Sequence, residues 1–318
     1  MKITAWTGSK LREGLTLGEL PKALAAAQGT VWIDIVDPST DQLEKLADIL
    51  QLHELVVEDI LARNQRARIS VHDDFVHLVM FTLTLAKKHL RDREIDLVLG
   101  RRFLLSVHPS DWHPEKAHQL RDGLELAFSK GPDYLLWALV DSLVDSYFPL
   151  FDKIDERIND LEDRIVARAD RATVNDIFQL KRDLVSIRHA TSPQREIFNQ
   201  LTNRDLPFIQ RHHLVYFRDV YDHLIRLTDE LEGYRDRLTG ALDAYLSTIN
   251  NNLAEIAKRL TAVTVILATI GAIGGIFGMS EAGPALAGQE MVGFWIITVA
   301  SVVFGVGMIF YLRRIDWL

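Results

Sequence analysis

Two stretches near the C-terminus, Leu260–Phe277 and Val292–Leu312, contain no charged residue. Each approaches the ~20 residues that a helix needs to cross a bilayer. Nothing else in the chain restricts its architecture as strongly, because a backbone inside lipid must satisfy its own polar groups. Flanking charge sets the direction. Lys258 and Arg259 precede the first stretch and Arg313 and Arg314 follow the second, so both basic ends are expected in the cytoplasm, on the inner side of the plasma membrane. Between the stretches lie Glu281 and Glu290 and no basic residue, which gives the outward side an acidic character that draws cations. The expected spans are 260–279 and 292–312, joined by an outward loop at 280–291 and followed by a cytoplasmic tail at 313–318.

Almost all the charge lies before Arg259. The formal net charge is -8, a balance without the basic face that nucleic acid requires. Cysteine is absent, which rules out disulfides and thiolate metal sites and suits a reducing compartment. The opening residues have no apolar core behind a basic start, so no signal peptide is expected and the soluble part is placed in the cytoplasm. No nucleophile and base pair, phosphate-cradling glycine loop or HExxH run is present, and neither an enzyme nor a catalytic cofactor is expected. His108, Asp111, His113, Glu115 and His118 are too irregularly spaced for a zinc site and read as ordinary surface chemistry.

Residues 1–132 alternate short strand-like and helix-like runs. Val31–Val36 reads as a strand, and Ser39 with Gln42 offers a capping box for a helix through Leu50. Phe75–Leu85, Ile95–Leu99 and Phe103–Val107 read as further strands, together predicting an α/β domain with a small sheet. From 133 to 204 the period becomes helical. Leu135, Leu139, Leu143, Phe151, Ile154, Ile158, Leu161 and Ile165 keep one apolar stripe, predicting a single long amphipathic helix. Thr173 and Asp176 suggest a capped second helix running to Leu201 past a kink at Pro193, and so an antiparallel hairpin. Beyond Pro207 nothing breaks the pattern until the glycines at 271–278. A stalk over 205–259 running on into the first span would extend about 100 Å, a rod that needs copies of itself as neighbours.

Two helices cannot enclose an aqueous path, so a pore requires oligomerisation. One face of the first span carries Ala254, Ala257, Leu260, Thr261, Thr264, Ala268, Gly271, Gly275 and Gly278, with Asn250 a turn below. This face is small and slightly polar. It suits either a pore lining or close helix packing through small-xxx-small spacings.

Several segments resemble landmarks of the CorA superfamily of divalent-cation transporters, along essentially the whole chain. They are Tyr216-Phe-Arg-Asp-Val-Tyr-Asp-His223, Val57-Glu-Asp-Ile60 with Asn64-Gln-Arg66, Leu180-Lys-Arg-Asp-Leu184 with Pro193-Gln-Arg-Glu196, Gly278-Met-Ser280 and Asp316-Trp-Leu318. The resemblance implies an α+β membrane protein with a cytoplasmic α/β domain, a long stalk helix and two C-terminal transmembrane helices, assembled as a funnel-shaped homopentamer. It places Gly278, Met279, Ser280 and Glu281 at the outer mouth, where the family's Gly-Met-Asn becomes Gly-Met-Ser. It makes Leu260 the main constriction, puts Thr269 where the family has a proline, and assigns Asp219 to a regulatory magnesium whose partner strand here carries Thr84. The implied function is a magnesium channel gated by intracellular magnesium. The alternatives are a ZntB-like zinc transporter, coupled to protons, with cobalt or nickel also as cargo, and a non-conducting membrane-anchored scaffold.

Overall fold

A computed structural model describes residues 1–26, 29–86, 89–121, 123–167, 170–278, 290–315 and 317. Two compact units are present. One comprises Met1–Arg164 and Arg171–Ala241, the other Ile165–Asp170 and Leu242–Leu318.

The first unit is built on seven strands: β1 (Lys2–Trp6), β2 (Leu11–Glu13), β3 (Thr30–Val36), β4 (Arg68–Val71), β5 (Phe75–Ala86), β6 (His89–Gly100) and β7 (Phe103–His108). Their order is β2-β1-β3-β7-β6-β5-β4. Only β3 and β7 pair in parallel; the other neighbours are antiparallel. The three strands expected from their β-rich runs are all present and longer than expected, while β1, β2 and β4 were too short to stand out as patterns. Gly100 closes the β6–β7 turn because a Cβ there would sit within 2.2 Å of the Phe103 ring.

Strand alternation divides the core into two faces. On one, Ile33, Ile35, Leu105, Val107 and Val98 pack beneath α1 (Leu20–Leu24), α2 (Thr40–Leu50) and α3 (Glu54–Ala62). The expected capping box starts α2: Ser39 Oγ accepts from Gln42 N at 3.3 Å and Gln42 Oε1 accepts from Ser39 N at 3.3 Å. On the other face, Leu78, Met80, Leu97, Leu99 and Leu104 are buried against a layer of α4 (His118–Arg121), α5 (Leu124–Lys130), α6 (Pro132–Asp145) and α8 (Arg171–Asn203). Each such leucine contributes about 1.5–3 kcal/mol by leaving water.

The single helix expected from Tyr134 to Ile165 is two. After α6 the chain turns at Ser146 and Tyr147, then continues as α7 (Phe148–Ala167). Pro149 is the reason: it has no N–H for the preceding turn and its ring crowds that carbonyl, yet it is accommodated in a first helical turn. Tyr147 fixes the corner, its hydroxyl reaching the Phe81 carbonyl and lying 3.0 Å from Gln194 Oε1. The second expected helix starts at Arg171, two residues before the proposed cap, and Thr173 is buried. Arg157–Asp183 at 3.1 Å and Arg164–Asp176 at 2.7 Å tie α7 to α8 as a hairpin.

The stalk begins at Leu214, after a 3-10 turn over Arg211–His213, and not at residue 205. It is one helix, α9 (Leu214–Gly278), of 65 residues. Arg237 joins its first half to α7 through Asp155 at 2.5 Å and Glu162 at 2.7 Å. In the second unit α9 ends and α10 (Glu290–Arg314) follows.

Candidate functional site

Within α9, an 18-residue window is long and apolar enough to cross a membrane. Its side chains divide by face. Ala262 is buried, and Ile266, Thr269, Ile270 and Ile273 are half-buried on the same side. On α10 the described residues that are buried or half-buried are Thr298, Ser301, Gly305, Met308 and Leu312, recurring every three or four residues. A Cβ on Gly305 would stand 3.3 Å from Ile270 Cδ1, so the small residue lets the two helices touch.

The predicted pore positions lie away from that contact. Asn250, Ala254, Ala257, Leu260, Thr261, Thr264, Ala268, Gly271 and Gly275 are all exposed in one copy, and Leu260 retains 67% of its surface. Among the described residues, no atom beyond the helix's own backbone approaches a Cβ built on Gly271, Gly274 or Gly275 within 4 Å. The small-xxx-small spacing of Gly271 and Gly275 meets no packing partner inside the chain among the described residues. Thr261 and Thr264 each donate a hydroxyl hydrogen to the carbonyl four residues back, at 2.8 Å, which leaves hydroxyl lone pairs available on the bare side. Gly278 ends α9; Met279, Ser280 and Glu281 lie outside the described residues.

Asp219 belongs to a cluster assembled from three helices. Asp141 and Asp145 are one turn apart on α6, Asp219 and His223 one turn apart on α9, and His118 opens α4. The ligand-capable atoms of Asp141, Asp219 and His223 lie within 4.8 Å of one another, as do those of His118, Asp141 and Asp145. Gln119 Nε2 donates to Asp141, and the His223 ring meets Phe148 edge-on at 5.5 Å. His223 Nδ1 is 3.2 Å from Asp145 Oδ1, without the alignment of a hydrogen bond. Burial, followed by the Asp145 carboxylate, pushes Asp141 up to about 6; Asp219 adds to this, while His223 and His118 oppose it. Such a group favours a partner cation. The oxygen ligands suit magnesium, whereas the imidazoles suit zinc, cobalt or nickel.

Sequence reasoning found Asp219 and missed its partners. The pairs Asp141/Asp145 and Asp219/His223 were visible as i,i+4 spacings, but nothing in the order of residues brings positions 118, 141 and 219 together. Thr84, at the place of the expected strand partner, pairs with Arg91 in the β5–β6 hairpin. Of the loop histidines, His108 is buried against Asp34 at 3.1 Å and the Pro109 carbonyl at 2.8 Å, and only His118 joins the cluster.

An α/β domain, a helix of 65 residues with an apolar stretch of membrane-crossing length and a carboxylate-rich cluster able to hold a cation together fit an ion-handling membrane protein. Residues 27–314 match the family described as CorA-like Mg2+ transporter protein, and the chain belongs to that family of membrane transporters of divalent cations. It is 34% identical over 293 residues to the cobalt/magnesium transport protein CorA of Thermotoga maritima, covering 90% of this chain and 83% of that one. It is 25% identical to the zinc transport protein ZntB of Cronobacter sakazakii over 55% of each chain. In fold it resembles the complete CorA magnesium transporter of Methanocaldococcus jannaschii, with a TM-score of 0.84, 24% identity and coverage of 99% of this chain and 98% of the other.

Proposed function

We propose that five copies of this chain form a funnel-shaped magnesium channel, with α9 lining the pore and α10 as an outer second span, both termini lying in the cytoplasm. The observation that carries this reading is the bare, small-residue face of α9, in a chain of a magnesium transporter family. Entry is driven by the membrane potential, worth about 2.3 kcal/mol per charge at 100 mV. Gly278, Met279, Ser280 and Glu281 form the outer mouth, where carbonyl and hydroxyl oxygens receive a hydrated ion. Asn250 and Ala254 lie toward the cytoplasmic entrance. Between them, on the pore face, Thr261 and Thr264 supply hydroxyl groups, and Leu260 supplies a ring of apolar side chains that closes the pore by dewetting.

Leu260→Ala is expected to raise the closed-state leak of magnesium from proteoliposomes several-fold. An unchanged leak with magnesium on both sides would remove Leu260 from the gate. The cluster around Asp219 supplies feedback: an ion there offsets carboxylate repulsion and holds the cytoplasmic unit in its closed arrangement, and its loss releases that arrangement.

A second reading, zinc transport coupled to protons, is favoured by the two imidazoles in the cluster and by the likeness to ZntB. Uptake of magnesium, zinc, cobalt and nickel into liposomes, with and without a pH gradient, separates the two. Magnesium uptake insensitive to the gradient supports the channel; zinc uptake that collapses with the gradient supports the second reading. Flux of no ion overturns both in favour of a scaffold.

A further inference from the structure

Within the second unit, basic and aromatic side chains gather where α9 enters its apolar stretch and α10 finishes. A Cβ on Gly305 would stand 3.3 Å from Ile270 Cδ1, so the two helices lie side by side near the middle of their uncharged runs. Ala262, about 12 Å before Ile270, and Leu312, about 11 Å beyond Gly305, are both buried. The start of the first run and the close of the second therefore share one end. Measured along the helices from the Ile270–Gly305 level, Lys258 stands about 18 Å away, and Arg313 and Arg314 about 12 and 14 Å. Half the hydrocarbon thickness of a bilayer is about 15 Å. These three cations thus fall where acyl chains give way to headgroups, and their long stems let the charge reach the polar side.

The chain itself leaves this charge unmatched. Glu255, the nearest acid on α9, is bonded to Arg259, whereas Lys258, Arg313 and Arg314 have no acidic partner among the described residues; Asp316 lies outside them. Tyr311 keeps 60% of its surface and Trp317 keeps 38%. The backbone N–H of Trp317 donates to the Leu312 carbonyl at 2.8 Å, a closure typical of helix ends that holds the indole at this level. Tyrosine and tryptophan prefer that depth because the ring is apolar and its edge polar. We propose that this band binds the headgroup of an anionic phospholipid. The forked guanidiniums of Arg313 and Arg314 take the phosphate, Lys258 adds charge, and Tyr311 and Trp317 pack on the glycerol and first methylenes. A zwitterionic lipid offers the same phosphate but cancels its charge, so a net negative headgroup is preferred. The inference rests on α9 and α10 crossing the bilayer, and it is independent of which ion passes.

Native mass spectrometry of the full-length protein, given equal phosphatidylglycerol and phosphatidylcholine in detergent, is expected to show the anionic lipid retained on the order of tenfold more than the neutral one. Arg313→Gln with Arg314→Gln should bring that ratio to within about twofold of unity. Arg259→Gln removes a cation already matched by Glu255 and should leave the ratio unchanged. If the double variant aggregates, Arg314→Gln alone carries the comparison and should lower the ratio by about threefold. Inorganic phosphate in excess should not displace the lipid; displacement would reveal a free-anion site and overturn the lipid assignment. Equal retention of the two lipids by the wild type, or an unchanged ratio in the arginine variants, would overturn the proposal and leave the spans standing. A loss in Arg259→Gln as large as in the double variant would show that only total charge counts, and would overturn it too. Retention of neither lipid by the wild type would overturn the reading of α9 and α10 as spans.

Discussion

Glu94→Gln is expected to make the protein more stable above neutral pH and to flatten the fall in stability between pH 5 and 8, leaving the share that Asp141 contributes at the acid end of that range. Glu94 lies on β6 beneath α3, only 8% exposed. One carboxylate oxygen accepts from Gln65 N at 3.0 Å, and the other is buried with no partner. Asp96 follows on the same strand face, its Oδ1 2.8 Å from His77 Nε2. Asp59 and Arg63 approach from α3 and its C-terminal cap, and Arg68 from β4 binds Asp59. Burial first, and Asp96 second, push Glu94 up from 4.5 to about 7, outweighing the Gln65 N–H and the Arg63 charge. The folded state thus holds a proton that the unfolded chain would release. Its stabilisation is complete below the unfolded value of 4.5 and is lost as pH rises through about 7. By the conversion of 1.36 kcal/mol per unit, roughly 3 kcal/mol is at stake. Glutamine keeps an oxygen for Gln65 N and cannot ionise. Thermal unfolding of full-length protein in detergent at pH 5, 6, 7 and 8 should show a midpoint several degrees above wild type at pH 8 and little difference at pH 5. An identical pH slope in the two proteins would refute the assignment.

What could be read from the residue order was whatever local physics decides. Ser39 and Gln42 announce the start of α2 because a capping box is complete within four residues, and α9 is legible because 65 residues pass without a proline. The break at Ser146–Tyr147 was legible too, in Pro149, but the apolar stripe through Phe151 and Ile154 continues across it and concealed it. Contacts between distant segments were not legible. Leu260 and Gly271 read as a pore face with close helix packing as the alternative, and the residue order alone could not show that Ile270 meets Gly305 of α10 while, among the described residues, Gly271, Gly274 and Gly275 have no such neighbour. Glu94 gave no signal at all, since its protonation depends on Asp96, Asp59 and Arg63 being folded around it.

The cluster of His118, Asp141, Asp145, Asp219 and His223, acting as the proposed metal site, is expected to separate ions by which ligand is removed. Magnesium, added to the full-length protein in detergent, should slow proteolysis of the first unit, and zinc, cobalt or nickel should do so at lower concentration. Asp219→Ala removes an exposed carboxylate that the proposed site offers to all these ions, so every protection midpoint should rise by on the order of tenfold or more. His223→Ala removes a nitrogen. Magnesium takes oxygen ligands and keeps much of its water, so its midpoint should move little, while those of zinc, cobalt and nickel should rise by on the order of tenfold. Asp145→Asn acts in the opposite sense on the ion-free protein, because it removes the charge that does most, after burial, to push Asp141 up. That variant should resist protease better than wild type when no divalent ion is present. Unchanged midpoints in Asp219→Ala would take the cluster out of regulation. Equal losses for magnesium and zinc in His223→Ala would show that the imidazole shapes the site without binding the ion.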